Sequence, residues 1–138
     1  MRQVTREISV ETEGRGLCEV TDAVQSFVAQ SGISNGLLTI FIRHTSASLT
    51  IQENADPSVL HDLEDFLGRL APEDHSYVHA SEGPDDMPAH IKAALTDVSL
   101  SIPVVDGAMA LGTWQGVFVM EHRSASHLRK LRLLLMGD

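Results

Sequence analysis

Apolar and polar residues alternate in three separate segments, and this period of two restricts the fold more than any other feature. Neighbouring residues of a strand point to opposite faces of a sheet, so a half-buried strand shows this alternation. The segments are residues 3–11, 36–43 and 98–105, with apolar faces formed by Val4, Ile8 and Val10, by Leu38, Ile40 and Ile42, and by Val98, Leu100, Ile102 and Val104. Each is predicted to be a strand.

Further segments complete an α+β prediction, in which a mainly antiparallel sheet carries two or three helices. Helical spacing of apolar residues predicts a helix over 18–31, ended by Gly32. Asp56 can cap a second helix that begins with Pro57, and a short helix is expected around 88–96. Asp106-Gly107 is a hairpin turn signal. Residues 48–53, 108–122 and 127–136 are the remaining predicted strands.

The totals favour one globular domain over residues 1–138 and exclude several classes of protein. The chain has 138 residues, of which 43% are hydrophobic. It contains no apolar run of membrane-spanning length, and its beginning lacks the apolar stretch of a signal peptide. A formal charge of -9 argues against nucleic acid as the main partner. We therefore expect a cytoplasmic protein with neither membrane nor nucleic acid as a partner.

The acidic segment from Glu82 to Lys92 contains groups that bind metals and move protons. The carboxylates of Glu82, Asp85 and Asp86 suit Mg²⁺, which prefers one or two carboxylates together with water and phosphate oxygens. Single histidines nearby and upstream suit zinc instead, because neutral imidazole is a common zinc ligand. The predicted metal ligands are His44, His79, His90, Asp85 and Asp86. The spacing leaves the choice between Mg²⁺ and Zn²⁺ open.

Four other residues could hold a phosphorylated substrate. Arg43 has the planar fork that grips an anion with two hydrogen bonds, and Lys92 offers a point charge. Ser46 and Ser48 could add hydroxyl donors. These candidate site residues also have purely structural interpretations. Lys92 could simply lie along its own helix, and Asp85 and Asp86 could simply form a turn.

The stretch Gly112-Thr113-Trp114-Gln115-Gly116 surrounds the only tryptophan with two glycines. Glycine in a strand often marks a bulge or a close backbone approach. Trp114 is expected more often as a core anchor than as a stacking platform for an aromatic ring, although both interpretations stay open. Glu121 and His122 are adjacent on a predicted strand, so they should point to opposite faces.

Four long segments resemble the YjbQ family of small proteins. They are HTSASLTIQENADP (44–57), YVHASEGPDDMPAHIK (77–92), SLSIPV (99–104) and LGTWQGVFVMEHR (111–123). The resemblance spans nearly the whole chain. It implies two sheets packed as a sandwich, a homotrimer and a secondary thiamine-phosphate synthase activity. That reaction joins hydroxymethylpyrimidine diphosphate to thiazole phosphate and releases pyrophosphate.

The resemblance also implies roles for individual residues. His79, His90, Glu82, Asp86 and Lys92 would be catalytic: a histidine would protonate the departing diphosphate, while a bound ion and Lys92 would stabilise its charge. Arg43, Ser46, Ser48 and Trp114 would bind substrate, with Trp114 stacked on the pyrimidine.

Three alternatives remain. A zinc hydrolase could use His44, His79 and His90. A non-catalytic trimer could bind a phosphorylated metabolite or a metal. The charged loops could instead lie at a subunit interface, where Glu121 and Arg123 would pair across chains.

Overall fold

Eight strands and three helices make up the computed structural model, which describes residues 1–138. The strands are β1 (Arg2–Glu11), β2 (Gly16–Glu19), β3 (Gly36–Ile42), β4 (Ala47–Glu53), β5 (Ser99–Val105), β6 (Ala108–Met109), β7 (Gln115–Glu121) and β8 (Leu128–Gly137). The helices are α1 (Thr21–Ser31), α2 (Pro57–Leu70) and α3 (Asp86–Leu95). The α+β prediction is confirmed.

The strands form two antiparallel sheets that enclose the core. One sheet has five strands in the order β1-β8-β3-β5-β6, and the other has three in the order β2-β7-β4. A single cluster of 20 buried apolar residues combines side chains from both sheets with those of α1. The sandwich arrangement implied by the family resemblance is therefore confirmed, and β8 confirms the strand predicted over residues 127–136.

The three-stranded sheet is covered on both faces. Val117 and Val119 of β7 belong to the core between the sheets. Phe118, Met120 and the following His122 point the other way, yet each is at most 4% exposed. This second face is covered because α3 packs against β4 and α2 against β2. Polar side chains at this helix–sheet boundary are consequently removed from water.

Strand β2 was missed, because the helix predicted over 18–31 begins only at Thr21. Gly16 to Glu19 instead pair with β7, where Cys18 lies opposite Val119. Gly14 and Gly16 have φ angles of 104° and 147°, which favour glycine and allow the chain to turn into this strand. Pairing with a distant segment outweighed the local helical spacing. The end of α1 is as predicted, with Gly32 in the left-handed conformation at φ 74°.

The segment predicted as one strand over 108–122 is two strands in different sheets. β6 belongs to the five-stranded sheet and β7 to the three-stranded sheet. The turn between them contains Trp114, whose side chain is 62% exposed. The expectation of Trp114 as a core anchor is therefore wrong. The predicted turn at Asp106-Gly107 is present, and both residues have positive φ.

Helix α2 starts as predicted, but much of its apolar face is uncovered. Asp56 accepts a hydrogen bond from the backbone N–H of Ser58 at 2.9 Å, and Pro57 follows in the first turn. Helix α2 has six apolar residues after Pro57, and only one of them, Leu67, is buried. Phe66 and Leu70 are 55% and 53% exposed. None of the three helices combines the length and apolar character needed to cross a membrane.

Candidate metal centre

Three potential metal ligands meet at the amino end of α3. Asp86 and His90 are four residues apart on this helix, so their side chains lie on one face. His79 comes from the loop that precedes the helix. One ligand atom from each of the three residues lies within 4.8 Å of the others. The structure thus brings together three of the five predicted metal ligands.

The carboxylate of Asp86 is the centre of this group. Its Oδ2 is 2.7 Å from Nε2 of His79 and 3.2 Å from Nε2 of His90. Asp86 is 2% exposed, whereas the side chains of His79 and His90 are 44% and 30% exposed. Burial is the largest single influence on Asp86 and opposes its ionisation, but the hydrogen bonds with His79 and Glu82 and the charges of His90 and Arg123 together lower the pKa of the carboxyl group. The ligand group therefore has a buried, charged carboxylate on one side and two partly exposed imidazoles on the other.

The tautomer of His90 follows from its second hydrogen bond. Nδ1 is 2.9 Å from the backbone carbonyl oxygen of Thr45, which can only accept, so Nδ1 carries a proton. In neutral His90 the lone pair of Nε2 then faces Oδ2 of Asp86, which is also an acceptor. Two acceptors at this distance need a proton or a cation between them. A ligand histidine that donates its other N–H to a carbonyl is the usual arrangement around metals.

Glu82 lies beside the three-residue group without being part of it. Its Oε2 is 3.4 Å from Nε2 of His79, and its side chain is 63% exposed. A carboxylate in this position could exchange protons with solvent and with a group bound between the histidines. The catalytic role expected for Glu82 stays a prediction.

Arg123, a site residue that the sequence did not predict, fixes the acidic segment to the end of β7. Its Nη1 donates to Oδ1 of Asp86 and its Nε to Oδ2 of Asp85, each at 2.9 Å, while Nη2 donates to the carbonyl oxygen of Glu82 at 3.0 Å. The only signal in the sequence was a charged Glu-His-Arg run directly after an apolar strand.

Asp85 is occupied by this clamp and is not one of the three grouped ligands. Besides Arg123 it accepts a hydrogen bond from the backbone N–H of Ser124 at 2.9 Å. The hydrogen bond with Arg123 is the largest cause that holds the pKa of Asp85 well below its usual range. Asp85 therefore helps to place Asp86.

His44 lies outside the ligand group. Its Nε2 accepts a hydrogen bond from the backbone N–H of Lys130 at 2.8 Å, and burial lowers the pKa of the imidazole. It lines a cavity of about 240 Å³ together with His90 and the apolar residues Ala93, Ala94 and Val98. His44 is thus placed to contact a molecule held at His90.

The predicted anion-binding residues are scattered. Arg43 donates to Glu7 at 2.6 Å, and Ser46 accepts from Arg129 at 3.1 Å. Ser48 is fully buried, with its Oγ 2.8 Å from Nε2 of His122. Lys92 is two residues beyond His90, which places it about 200° around the helix axis. These residues do not form one substrate pocket with the ligand group.

Another cavity adjoins the ligand group on the side of His79. It has a volume of about 350 Å³ and is lined by residues that include His75, Tyr77 and Gly83. His75 and Tyr77 meet edge to face with ring centroids 4.8 Å apart. Trp114 does not line either of these two cavities.

Comparison with known proteins agrees with the family resemblance. The sequence matches the family described as UPF0047 protein YjbQ-like over residues 6–138. The UPF0047 protein sll1880 of Synechocystis sp. is 50% identical over 99% of this chain and 94% of its own. The UPF0047 protein YjbQ of Escherichia coli O157:H7 is 41% identical over 96% of this chain and 97% of its own.

Solved structures show the same architecture. The hypothetical protein APE1520 from Aeropyrum pernix K1 superimposes with a TM-score of 0.89 and 30% identity, covering 98% of this chain and 99% of its own. An uncharacterised member from Clostridium acetobutylicum has a TM-score of 0.88 and 34% identity, covering 95% of this chain and 99% of its own. The extent of these matches shows that the chain belongs to the YjbQ-like UPF0047 family.

Proposed function

We propose that this chain is a metal-dependent enzyme that acts on a small phosphorylated molecule, with one divalent ion bound by His79, Asp86 and His90. The observation that carries the proposal is the pair of acceptors described above. His90 Nε2 and Asp86 Oδ2 are 3.2 Å apart, and Nδ1 of His90 is fixed as a donor by Thr45. A cation bound between Nε2 of His90 and Oδ2 of Asp86 would remove the repulsion between these two acceptors.

The donor set favours zinc or a similar transition metal over magnesium. Two imidazole nitrogens and one carboxylate oxygen match catalytic zinc sites, in which three protein ligands leave a position for water or substrate. Magnesium prefers oxygen ligands and a nearly ideal octahedron. The exposed rims of His79 and His90 leave room for a substrate oxygen to join the ion.

Thiamine-phosphate formation is the specific reaction that we propose, on the basis of the family resemblance. The bond between the pyrimidine methylene carbon and the diphosphate oxygen breaks, and its electron pair leaves with pyrophosphate. The thiazole nitrogen supplies the pair that forms the new C–N bond. A bound divalent ion would contribute positive charge next to the departing diphosphate.

The residues of the chain would position the reactants and move the proton. Asp86 and Arg123 hold the ligand group rigid, and Glu82 next to His79 could deliver a proton to the leaving oxygen. The two cavities adjacent to His79 and His90 could accept the two heterocycles. Because Arg43 and Lys92 lie elsewhere, this proposal assigns them no contact with the diphosphate.

A metal-dependent hydrolase is the second possibility, supported by the nitrogen-rich ligand set and by Glu82. The third ligand would be Asp86, since His44 does not belong to the group. Glu82 would accept a proton from a water molecule held at the site. A third possibility is a protein that binds a metal or a phosphorylated metabolite without turnover.

We also propose the homotrimer that the family resemblance implies. Exposed apolar side chains support it: Leu37, Phe41 and Met136 on the outer face of the five-stranded sheet are 40–49% exposed, and Phe66 and Leu70 of α2 are more exposed still. Apolar side chains concentrated on sheet and helix surfaces mark contact sites between proteins.

Elemental analysis of the purified chain tests the metal. We expect close to one zinc or similar ion per chain, lost in the His79→Ala, His90→Ala double variant and kept in His61→Ala, a control on the exposed surface of α2. The same proteins are then assayed for thiamine-phosphate formation with both substrates and with pyrophosphate release as a second readout.

The outcomes separate the alternatives. Metal-dependent product formation supports the synthase, and release of phosphate from a single substrate supports the hydrolase. Bound metal with no turnover of any phosphorylated substrate supports the binding protein. Equal metal content in the double variant and in the native chain would overturn the proposed centre.

A further inference from the structure

A second group of polar side chains lies between the three-stranded sheet and the helices α2 and α3. It consists of Lys92, His122 and Glu64, with Arg15 at the edge. His122 continues β7, Lys92 is on the far side of α3 from His90, and Glu64 comes from α2. The metal centre proposed above makes no use of these residues.

Lys92 is an unusual lysine, because its side chain is almost completely buried and no carboxylate forms an ion pair with it. The chain has two lysines, and the other, Lys130, is 45% exposed and pairs with Glu7 at 3.6 Å. Lys92 is 2% exposed, and its ammonium group makes no hydrogen bond or ion pair. An isolated buried charge is costly, so the structure calls for a partner at this position.

His122 contributes a second unpartnered atom. It is 1% exposed, and its Nδ1 is buried without a hydrogen bond. The hydroxyl of Thr96 donates to the carbonyl oxygen of Lys92 at 2.7 Å and lies 2.6 Å from Oγ of Ser48. When Ser48 donates to Thr96 and accepts from Nε2 of His122, every hydroxyl proton is used. Nδ1 of His122 is then an acceptor that waits for a proton donor.

Glu64 is the third member with an unpartnered atom, since its Oε1 is buried without a hydrogen bond. Glu64 is on α2, which packs against β2, and Lys92 is on α3, which packs against β4, so the two helices flank β7 and the His122 that follows it. Arg15 forms an ion pair with Glu73. Arg15 and Glu64 also line a surface groove of about 350 Å³, so the edge of the group that these two residues form faces solvent.

We propose that this group is a binding site for a small oxyanion that still carries a proton, such as hydrogen phosphate or a phosphomonoester. The anionic oxygens would accept from Lys92 and Arg15, and the P–OH would donate to Nδ1 of His122 or to Glu64. A water molecule could bridge two of these atoms, but it supplies no negative charge for Lys92. The site lies on the opposite side of α3 from the metal centre and is independent of it.

Inorganic phosphate is the probe for this site, titrated by calorimetry into the purified chain at constant ionic strength set with chloride. We expect saturable binding to the native chain. Lys92→Met should bind phosphate at least about tenfold more weakly, because it removes the buried charge and keeps the length of the side chain.

Two controls make the result specific. Lys130→Met removes the exposed lysine and should bind phosphate as the native chain does. The His79→Ala, His90→Ala double variant should keep the phosphate binding that Lys92→Met loses, whatever its metal content. The proposal is overturned when phosphate does not bind to the native chain, when Lys92→Met binds it unchanged, or when the double variant loses it. The last result would place the anion at the metal centre.

Discussion

At the scale of single residues, Arg123 determines how the candidate ligands are arranged. One guanidinium group contacts Asp85, Asp86 and the backbone of Glu82, so the end of β7 holds the segment that opens α3. Outer partners of this kind orient the ligands of a metal. Arg123 holds the carboxylate of Asp86 in the position that the proposed ion would require.

Replacing Arg123 by Met should weaken metal binding by about tenfold to a hundredfold, the usual cost of losing an outer partner. Asp86 would keep its charge but lose its fixed position. Metal titration with a competing chelator measures the affinity. Arg132→Met is the matched control, because Arg132 pairs with Glu7 at the surface at 3.3 Å. Equal affinity in Arg123→Met and in the native chain would remove Arg123 from the site.

His122 should make the stability of the fold sensitive to mild acid. Burial is the main cause that lowers its pKa from 6.5 to about 4 in the folded chain, and the charge of Lys92 adds to it. The unfolded chain therefore binds a proton at higher pH than the folded chain does. The stabilising contribution is fully present above pH 6.5 and is lost as the pH falls towards 4.

When the pH falls from 7 to 5, protonation of His122 in the unfolded chain should lower the free energy of unfolding by about 2 kcal/mol. Urea unfolding at both pH values measures it, with His122→Gln as the comparison. The variant keeps a polar group near Ser48 but has no titrating ring, so its free energy should fall less over this range. An identical fall in both proteins would show that His122 is not the group responsible.

At the scale of elements, local signals hold where an element is set by its own residues. Helix α2 begins at Pro57 because Asp56 accepts hydrogen bonds from both the N–H and the hydroxyl of Ser58. Strand β2, in contrast, exists because β7 offers it a partner. The predicted helix start at residue 18 failed for that reason.

Asp56→Ala should therefore reduce stability by about 1 kcal/mol through loss of the helix cap. Chemical denaturation at neutral pH measures this change. Asp62→Ala is the control within the same helix, since Asp62 is exposed and caps nothing. A loss of the same size in both variants would mean that net charge, and not the cap, is responsible.

At the scale of the whole molecule, the sandwich buries one face of the five-stranded sheet and leaves apolar side chains on the other. Leu37 and Phe41 of β3 are 49% and 45% exposed. Phe66 and Leu70 are exposed on α2, which covers the opposite sheet. Contacts between two different surfaces of identical chains close into a ring when the rotation permits.

Phe41→Glu should consequently break the proposed trimer. Light scattering after size exclusion should give three times the chain mass of 15.0 kDa for the native protein and a smaller mass for the variant. Val78→Glu also replaces an apolar side chain by glutamate, but at a fully exposed loop position, and this variant should have the same mass as the native assembly. A native mass equal to one chain would contradict the trimer directly.

The sequence by itself determined the parts that depend on neighbours along the chain. Period-two alternation located β1, β3 and β5, and the short helix expected around 88–96 matches α3 except that the observed helix starts two residues earlier, at Asp86. Side-chain direction within a strand or a helix follows from local geometry, so such features can be predicted from sequence. His79, Asp86 and His90 were expected near one another, because they lie in one short segment of the chain.

Only the tertiary structure decided which distant residues meet. It brought Arg123 to Asp86 and kept His44 apart, and it buried Lys92 on the far side of α3 while leaving Trp114 exposed. These outcomes depend on which strands pair and which helix covers which sheet face. Such contacts join residues far apart in the sequence. Their free energy depends on how deeply each side chain is buried and which charges surround it, and a local sequence pattern specifies neither.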